Sequence, residues 1–393
     1  MTIPTDNNNG KDNAKLRVRI AVPKDAPIGF HSIRLATRRG LSNLRLFCID
    51  DLPEVMQSNN NHSRKTAQAV PVPCVVVGRA DPEVSDFYSI AVKAGQRVSI
   101  EILGRRLGCP LDPQISLIDP SSQRELVYSN DAPGLQTDAR LTYTFKKPGD
   151  YLIEVRDVMY RGGADYWYRL RIGDFPCATT PIPMAAKRGS RVKVHFAGPA
   201  VTGVAPVEVT MPTDPATTVM WITPRGASGL LGWPVALAAS DLDEFVEHEP
   251  NDEPAKANRI SVPCGVTGRF EKKGDADHFV FAAKKGQRLV ILAHTHDLFS
   301  PTEVYMVLKN AAGAQIATSN PAGDPRIDFT APADGDYVLA VEHLNYWGGP
   351  EESYRITITP PEPGFDLTLP LDHFDVPQGG VAALPIQTIT RRD

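Results

Sequence analysis

Along most of this 393-residue chain apolar and polar side chains alternate with a period of two, the spacing of strands that bury one face. Val98, Ile100 and Ile102 are interleaved with Ser99 and Glu101, and Tyr151, Ile153 and Val155 with Glu154 and Arg156. Tyr354, Ile356 and Ile358 repeat the scheme downstream, and Leu16-Arg17-Val18-Arg19-Ile20 follows it near the start. A turn at Pro23–Gly29, a strand at Phe30–Leu35, a turn at Gly40–Asn43 and a strand at Leu44–Phe47 come next. No stretch of useful length shows the period of an amphipathic helix. Strands with one apolar face must pair sheet against sheet. The pattern therefore predicts an all-β chain of tandem β-sandwiches, antiparallel and of jelly-roll type in the larger modules.

The strand pattern is written twice. Asp51-Leu52-Pro53-Glu54-Val55 opens one copy and Asp241-Leu242-Asp243-Glu244-Phe245 the other. Val72-Pro73-Cys74, Gly78-Arg79 and Asp86-Phe87 answer Val262-Pro263-Cys264, Gly268-Arg269 and Asp277-His278-Phe279. Lys93-Ala94-Gly95-Gln96-Arg97 then matches Lys284-Lys285-Gly286-Gln287-Arg288, and Gly149-Asp150-Tyr151 matches Gly335-Asp336-Tyr337. Tyr160-Arg161-Gly162-Gly163 pairs with Tyr346-Trp347-Gly348-Gly349, and Tyr168-Arg169-Leu170 with Tyr354-Arg355-Ile356. Matches that keep their order over such a distance are a duplication, not chance.

Expected modules follow. Residues 1–13, polar and rich in Asn, are expected to be disordered. Residues 14–52 read as the last part of a small β module, and its Pro23-Lys24-Asp25-Ala26-Pro27-Ile28-Gly29 and Gly40-Leu41-Ser42-Asn43 turns resemble those of immunoglobulin-like domains of the TIG kind. Residues 53–173 form the first sandwich, 178–245 a second short immunoglobulin-like module, and 246–360 the second sandwich. Residues 361–393 read as the start of a further module, with strands at Phe365–Leu369 and Ala382–Ile386 around a Val376–Gly380 turn. Both ends then cut through modules, and the chain is expected to be part of a longer one.

Composition narrows the picture. Thirty-five prolines favour short strands joined by rigid turns, because proline is excluded from helix interiors and central strands. A net charge of -4 leaves no electrostatic footprint for nucleic acid, and no apolar run is long enough to span a bilayer. Cys48, Cys74, Cys109, Cys177 and Cys264 are odd in number and irregular in spacing, which is no disulfide framework, and no CxxC suggests zinc. Cys74 and Cys264 follow Val-Pro at the same point of each copy and are expected to be small buried side chains.

For catalysis the sequence offers little. There is no Gly-x-Ser-x-Gly, His-Glu-x-x-His or Gly-x-x-x-x-Gly-Lys, and the chain is expected not to be an enzyme. His294-Thr295-His296-Asp297 has the spacing of a transition-metal pair, but the first copy has Leu103-Gly104-Arg105-Arg106 there, which favours an exposed strand end. Oxygen donors are more suggestive. Glu247, Glu249, Asn251 and Asp252 precede the second sandwich, and Asp275 and Asp277 open its next acidic stretch. Positions i and i+2 of an extended chain share a side, so Glu247 can converge with Glu249 and Asp275 with Asp277, and hard cations such as Ca²⁺ take six to eight such oxygens. The aromatic residues Tyr160, Tyr346 and Trp347 sit beside the double glycines, either as packing or as a platform for an extended polypeptide or polysaccharide.

The series Asp-x-Asp-x-Phe, Lys-x-Gly-Gln-Arg, Gly-Asp-Tyr, Tyr-x-Gly-Gly and Tyr-Arg-Leu/Ile resembles the bacterial pre-peptidase C-terminal domain in both copies. That resemblance implies a secreted, periplasmic or cell-surface β-sandwich appended to peptidases or to large multi-module surface proteins, akin to clostridial collagen-binding domains. In such relatives the acidic linker binds calcium, so Glu247, Glu249, Asn251, Asp252, Asp275 and Asp277 become candidate Ca²⁺ ligands. The first copy places Gln57, Asn59, Asn61, His62 and Val84 at the matching positions and keeps only Asp86 among the carboxylates. One calcium site is therefore expected, not two. Two functions follow from the resemblance: an adhesion, targeting or spacer segment working beside neighbouring modules of a parent chain, or the appendage of a secreted hydrolase whose catalytic domain lies elsewhere.

Overall fold

The computed structural model describes residues 2–392 apart from 5–8, 12–15, 39, 321–324, 372–373 and 387. Two ten-stranded sandwiches dominate it. In the first, one sheet runs edge to edge as Arg124–Ser129, Pro113–Asp119, Gly149–Asp157, Asp86–Val92 and Gln68–Ala69. Its partner sheet runs as Arg140–Thr144, Arg97–Leu103, Trp167–Gly173, Cys74–Arg79 and Glu54–Met56. The second sandwich has the same order: Gln315–Thr318, Val304–Asn310, Gly335–His343, Ala276–Ala283 and Asn258–Arg259 face Arg326–Thr330, Arg288–His294, Ser353–Thr359, Cys264–Arg269 and Asp243–Val246. The alternating residues meet between the sheets, where Val98, Ile100, Ile102, Ile153 and Tyr168 line one core, and Phe279, Phe281, Leu339, Tyr354 and Ile356 the other.

Antiparallel pairing holds except at one edge of each sheet. Glu54–Met56 and Asp243–Val246 run parallel to the strands beginning at Cys74 and Cys264. Gln68–Ala69 and Asn258–Arg259 run parallel to the strands beginning at Asp86 and Ala276. The reason lies in the connection: each opening segment lies along the edge of one sheet, crosses the end of the sandwich, and joins the edge of the other. That crossing carries residues 57–67 in one case and 247–257 in the other. It also places the second sandwich's first strand at Asp243, three residues before the expected boundary at 246, because Phe245 packs against the core.

Between them, Thr180–Ile182, Arg191–Ala197 and Val207–Thr210 form one small sheet, and Ala185–Lys187, Val235–Ser240 and Val219–Ile222 another. Val194, Phe196, Met211, Ile222 and Leu237 fill the space between. The N-terminal module is a two-stranded sheet, Gly29–Ile33 with Arg45–Ile49, plus a short hairpin of Ala36–Thr37 with Gly40–Leu41. The strand expected at Leu16–Ile20 is not formed; Arg19 makes a single bridge to Thr2, and among the described residues Val18's alternation finds no neighbouring strand to bury against. Of the stretch expected to be disordered, 5–8 and 12–13 lie outside the described residues, while the Asn9 side-chain amide donates to Pro4 O and Arg17 O. At the other end Gly364–Thr368 pairs with Thr388–Arg392 rather than with 382–386, where Pro385 lacks the N–H a ladder needs.

Among the described residues the only helical turns are single 3₁₀ turns, and no helix is long and apolar enough to cross a membrane. The five cysteines are free, and burial pushes Cys74 up to about 11 and Cys264 to about 12, which leaves both as inert core groups.

Candidate metal centre at the mouth of the second sandwich

Glu247 is the first residue after the parallel edge strand, and its N–H continues that ladder to Thr267 O. Its Oε1 accepts the backbone N–H of Arg269 at 2.6 Å. The neighbouring glycine makes this possible: a Cβ on Gly268 would collide with the Tyr354 ring and come within 2.7 Å of Glu247 Oε2. Two residues on, Glu249 Oε2 accepts Asn251 N–H at 2.8 Å, a local turn that tips the carboxylate back over the sandwich end. Asn258 fixes the crossing by accepting His248 N–H at 2.6 Å and donating to His248 O at 2.9 Å.

The opposite wall is the start of the strand Ala276–Ala283. Asp277 is buried and accepts the phenolic O–H of Tyr354 through Oδ2. Asp275, also buried, accepts Glu271 N–H through Oδ2 at 2.6 Å. Its loop is held down from the far side by Gly274 N–H donating to Tyr346 O, and by the close approach of Gly348, whose Cβ would strike the backbone of Lys272.

Glu247, Glu249 and Asp277 present ligand atoms within 4.8 Å of one another. Asp275 stands outside that trio, and Asp252 turns to the Lys272 ammonium at 2.9 Å. Lys272 Nζ also stands 3.5 Å from Asp275 Oδ1, as an ion pair without hydrogen-bond geometry. The telling feature is what remains unused. Glu247 Oε2, Asp275 Oδ1, Asp277 Oδ1 and both amide atoms of Asn251 are buried with no hydrogen-bond partner in the protein. Each such group costs about 1–3 kcal/mol when left unsatisfied, and more when charged. Burial, reinforced by Asp277, pushes Glu247 far above the usual carboxylate range. Burial also raises Asp277, with Asp275 and Glu249 adding to the rise against the Tyr354 hydrogen bond. Several inward-facing carboxyl oxygens, two of them on groups that burial keeps from ionising readily, fit a hard divalent cation, whose charge would favour their ionised forms.

The first sandwich differs at the same place. Gln57 Oε1 accepts Arg79 N–H as Glu247 does for Arg269, but its Nε2 reaches Asn61 Oδ1 at 3.4 Å. His62 Nδ1 lies 3.1 Å from Asp86 Oδ1, and its Nε2 3.9 Å from Asp81 Oδ2. Asp86 Oδ2 accepts Tyr168 O–H at 2.7 Å, and the Tyr168 hydroxyl lies 2.6 Å from the Tyr88 hydroxyl.

The aromatic candidates fall on separate sandwiches. Tyr160 is capped by the Arg156 guanidinium 4.6 Å from its ring centre, whereas Tyr346 and Trp347 stand exposed beside the Asp275 loop. Tyr160 and Tyr346 take positive φ, as does the second glycine of each pair, Gly163 and Gly349, while the first glycine serves close approach. His294 and His296 face separate carboxylates, Asp297 at 2.7 Å and Glu303 at 3.5 Å. Sequence reasoning missed Tyr354, Lys272 and His278, whose buried ring nitrogen lies 3.1 Å from Asn251 O. The repeated Tyr-Arg-Leu/Ile held the signal for the first.

Comparison with known proteins bears on the first sandwich. Residues 84–157 match the family described as the bacterial pre-peptidase C-terminal domain, a span from the Asp86 strand to the end of Gly149–Asp157. Among solved structures the chain is similar to the pre-peptidase C-terminal domain of a Bacillus anthracis collagenase, at 20% identity over 27% of this chain and 93% of that one, with a TM-score of 0.22. It is similar to Aeromonas hydrophila PliG, a periplasmic inhibitor of g-type lysozyme, at 20% identity over 27% and 95% of the two chains, with a TM-score of 0.22. The M60 catalytic domain with the CBM51 domains of Clostridium perfringens ZmpB is similar at 9% identity over 85% of this chain and 42% of that one, with a TM-score of 0.18. No curated protein matches the sequence.

Proposed function

We propose that the chain is a non-catalytic β-sandwich segment of a secreted or cell-surface protein, serving adhesion, targeting or spacing, and that the second sandwich holds one Ca²⁺ at its mouth. Glu247, Glu249, Asn251, Asp275 and Asp277 supply the oxygens. Asp252 joins them when the cation displaces the Lys272 ammonium. The observation that carries this is the set of buried oxygens with no partner at residues 247, 251, 275 and 277. Ordinary solvated acidic linkers do not bury their carboxylates. Calcium ties the crossing segment 247–257 to the strand beginning at Ala276, and so fixes how the preceding module meets the sandwich. Met184 N–H, donating to Thr267 Oγ1 across that junction, makes the two ends of this tie adjacent. The family match at 84–157 supports the non-catalytic part of the reading. Isothermal titration of the full chain with CaCl₂ tests it. One site per chain is expected; two sites, or no heat at all, defeat it.

A further inference from the structure

Away from the acidic centre, a cavity of about 270 Å³ opens where four parts of the chain meet. Phe30 comes from the N-terminal sheet, Glu101 and Arg106 from the first sandwich, Trp221 and Trp233 from the middle module, and Phe299 from the second sandwich. Trp233 is nearly buried and its ring centre lies 4.8 Å from that of Phe30. Trp221 and Phe299 are 57% and 48% exposed, 5.7 Å apart between centres, and form an aromatic rim. Exposed rings of this size facing a cavity present flat apolar surface to something other than their own core.

The polar side of the cavity is unusual. Glu101 is 1% exposed; its Oε1 accepts Arg106 Nη2 at 2.8 Å, while Oε2 is buried with no hydrogen-bond partner. The neighbouring guanidinium groups also serve other acceptors; Arg171, opposite Glu101 in the ladder, donates to Asp50 Oδ2 and Leu231 O and keeps Nη1 without a hydrogen bond. Arg106 Nε donates to Asp138 at 2.7 Å, and Arg140 Nη2 donates to Thr179 Oγ1 at 2.9 Å and Glu351 Oε1 at 3.0 Å. Burial works against the charged form of Glu101, but Arg106, Arg140 and Arg171 outweigh it and hold the carboxyl below its usual range. A charged acceptor with one free oxygen therefore awaits a donor. A cationic ligand would meet the field of those guanidinium groups, and an anionic one the carboxylate itself. A neutral O–H donor with apolar faces satisfies both sides.

We propose that this cavity binds a single neutral sugar ring, the terminal or exposed unit of a glycan, with a hydroxyl donated to Glu101 Oε2 and its C–H face against the aromatic wall. The volume lies just below the usual range for drug-sized ligands, which suits one ring and not a chain. Trp221 and Phe299, which line the same cavity at its rim, supply that wall for the bound ring. None of these residues belongs to the acidic centre, so the two readings fail separately.

Saturation-transfer NMR on the full chain, with the methyl glycosides of glucose, galactose, mannose and N-acetylglucosamine, tests the assignment in EDTA and again in Ca²⁺. Transfer to the ring protons of at least one glycoside is expected in both conditions. Trp221→Ala, at an exposed ring whose loss leaves the core intact, should abolish it, and Glu101→Gln should weaken binding roughly tenfold. Circular dichroism confirms that each variant is folded. Transfer to no glycoside, or transfer that survives Trp221→Ala in folded protein, overturns the proposal. Displacement of the bound glycoside by gelatin peptides at lower concentration also overturns it, since the cavity would then be a polypeptide site.

Discussion

At the same register of two like-ordered sheets, Asp86 and Asp277 each accept a hydrogen bond from a buried tyrosine, yet the space in front of them is used in opposite ways. In the first sandwich His62 fills it, and the neighbouring Gln57 and Asn61 address each other. In the second, carboxylates replace the amides, and the unpartnered buried atoms are mostly carboxyl oxygens, at Glu247, Asp275 and Asp277 beside the Asn251 amide; the first mouth also leaves Asn61 Nδ2, His62 Nδ1 and Asp86 Oδ1 without hydrogen bonds, but there an imidazole stands 3.1 Å from the carboxylate. The two crossing segments begin alike, each with a side-chain oxygen on the N–H of the matched arginine at 2.6 Å, and then diverge, the second through a cis Glu249–Pro250 bond where the first has Asn60. The mouths thus share their opening hydrogen bond and differ in what faces the matched aspartate, an imidazole in the first and further carboxylates in the second.

The largest effect should come from removing a ligand that lies at the centre of the second mouth. Asp277→Asn keeps a carbonyl oxygen for Tyr354 but removes the charge, and is expected to abolish the calcium heat in titration. A cation at one hundred times its Kd adds about 2.7 kcal/mol to the folded state, so the calcium-dependent rise in Tm should vanish with it. Asp86→Asn in the first sandwich should leave the calcium response untouched. A calcium response that persists in Asp277→Asn would remove the basis of the comparison.

The converse experiment rewrites the first mouth. Gln57→Glu, Asn59→Glu, His62→Asp and Val84→Asp together reproduce the donor set around Asp86, and titration should then give two sites per chain. Retention of a single site in folded protein would mean that the path of the crossing segment, not the donor set, separates the copies.

Much of this was readable beforehand. Period-two alternation at 98–102, 151–155 and 354–358 declares strands because burial on one face leaves no other economical arrangement, and the chain is all-β as the pattern predicts. The repeat placed matching side chains, so the oxygen donors and their substitutes stood in corresponding positions before any coordinates. What could not be read was partnership. Nothing in the spacing reveals that Lys272 claims Asp252, that Tyr354 crosses the core to reach Asp277, or that the edge strands run parallel, since these depend on contacts distant along the chain. Alternation also misled at Leu16–Ile20 and Ala382–Ile386, where no strand among the described residues completes a sheet and, in the latter, Pro385 lacks the N–H a ladder needs.

A smaller effect is expected at the turn that braces the acidic loop. Gly348→Ala drives a methyl group into the backbone of Lys272, and Gly162→Ala does the same to the backbone at Asp81 and Pro82. Each should destabilise its own sandwich by about 1–3 kcal/mol, the usual cost of forced overpacking. Only Gly348→Ala should also weaken calcium, because Asp275 rides on the displaced loop. Equal calcium affinity in the two variants would show that Asp275 contributes little to the site.

The mildest and most diagnostic difference is in pH. In the calcium-free second sandwich Glu247 and Asp277 are both raised by burial and by neighbouring carboxylates, so the folded state holds more protons than the unfolded chain above the ordinary carboxylate range. Stability then falls as pH rises from about 4 upward, the reverse of a salt-bridged carboxylate. Bound calcium favours the charged forms and lowers both groups, which removes that slope. The gap in Tm between calcium and EDTA should therefore widen steadily from about pH 4 to about pH 8. Burial also raises Asp86, beside His62; with calcium proposed at the second mouth alone, its contribution should be common to both curves and cancel in the difference. In Asp277→Asn the gap should be flat and near zero. A gap that narrows with rising pH in the unaltered protein would mean that calcium is held by groups other than these buried carboxylates.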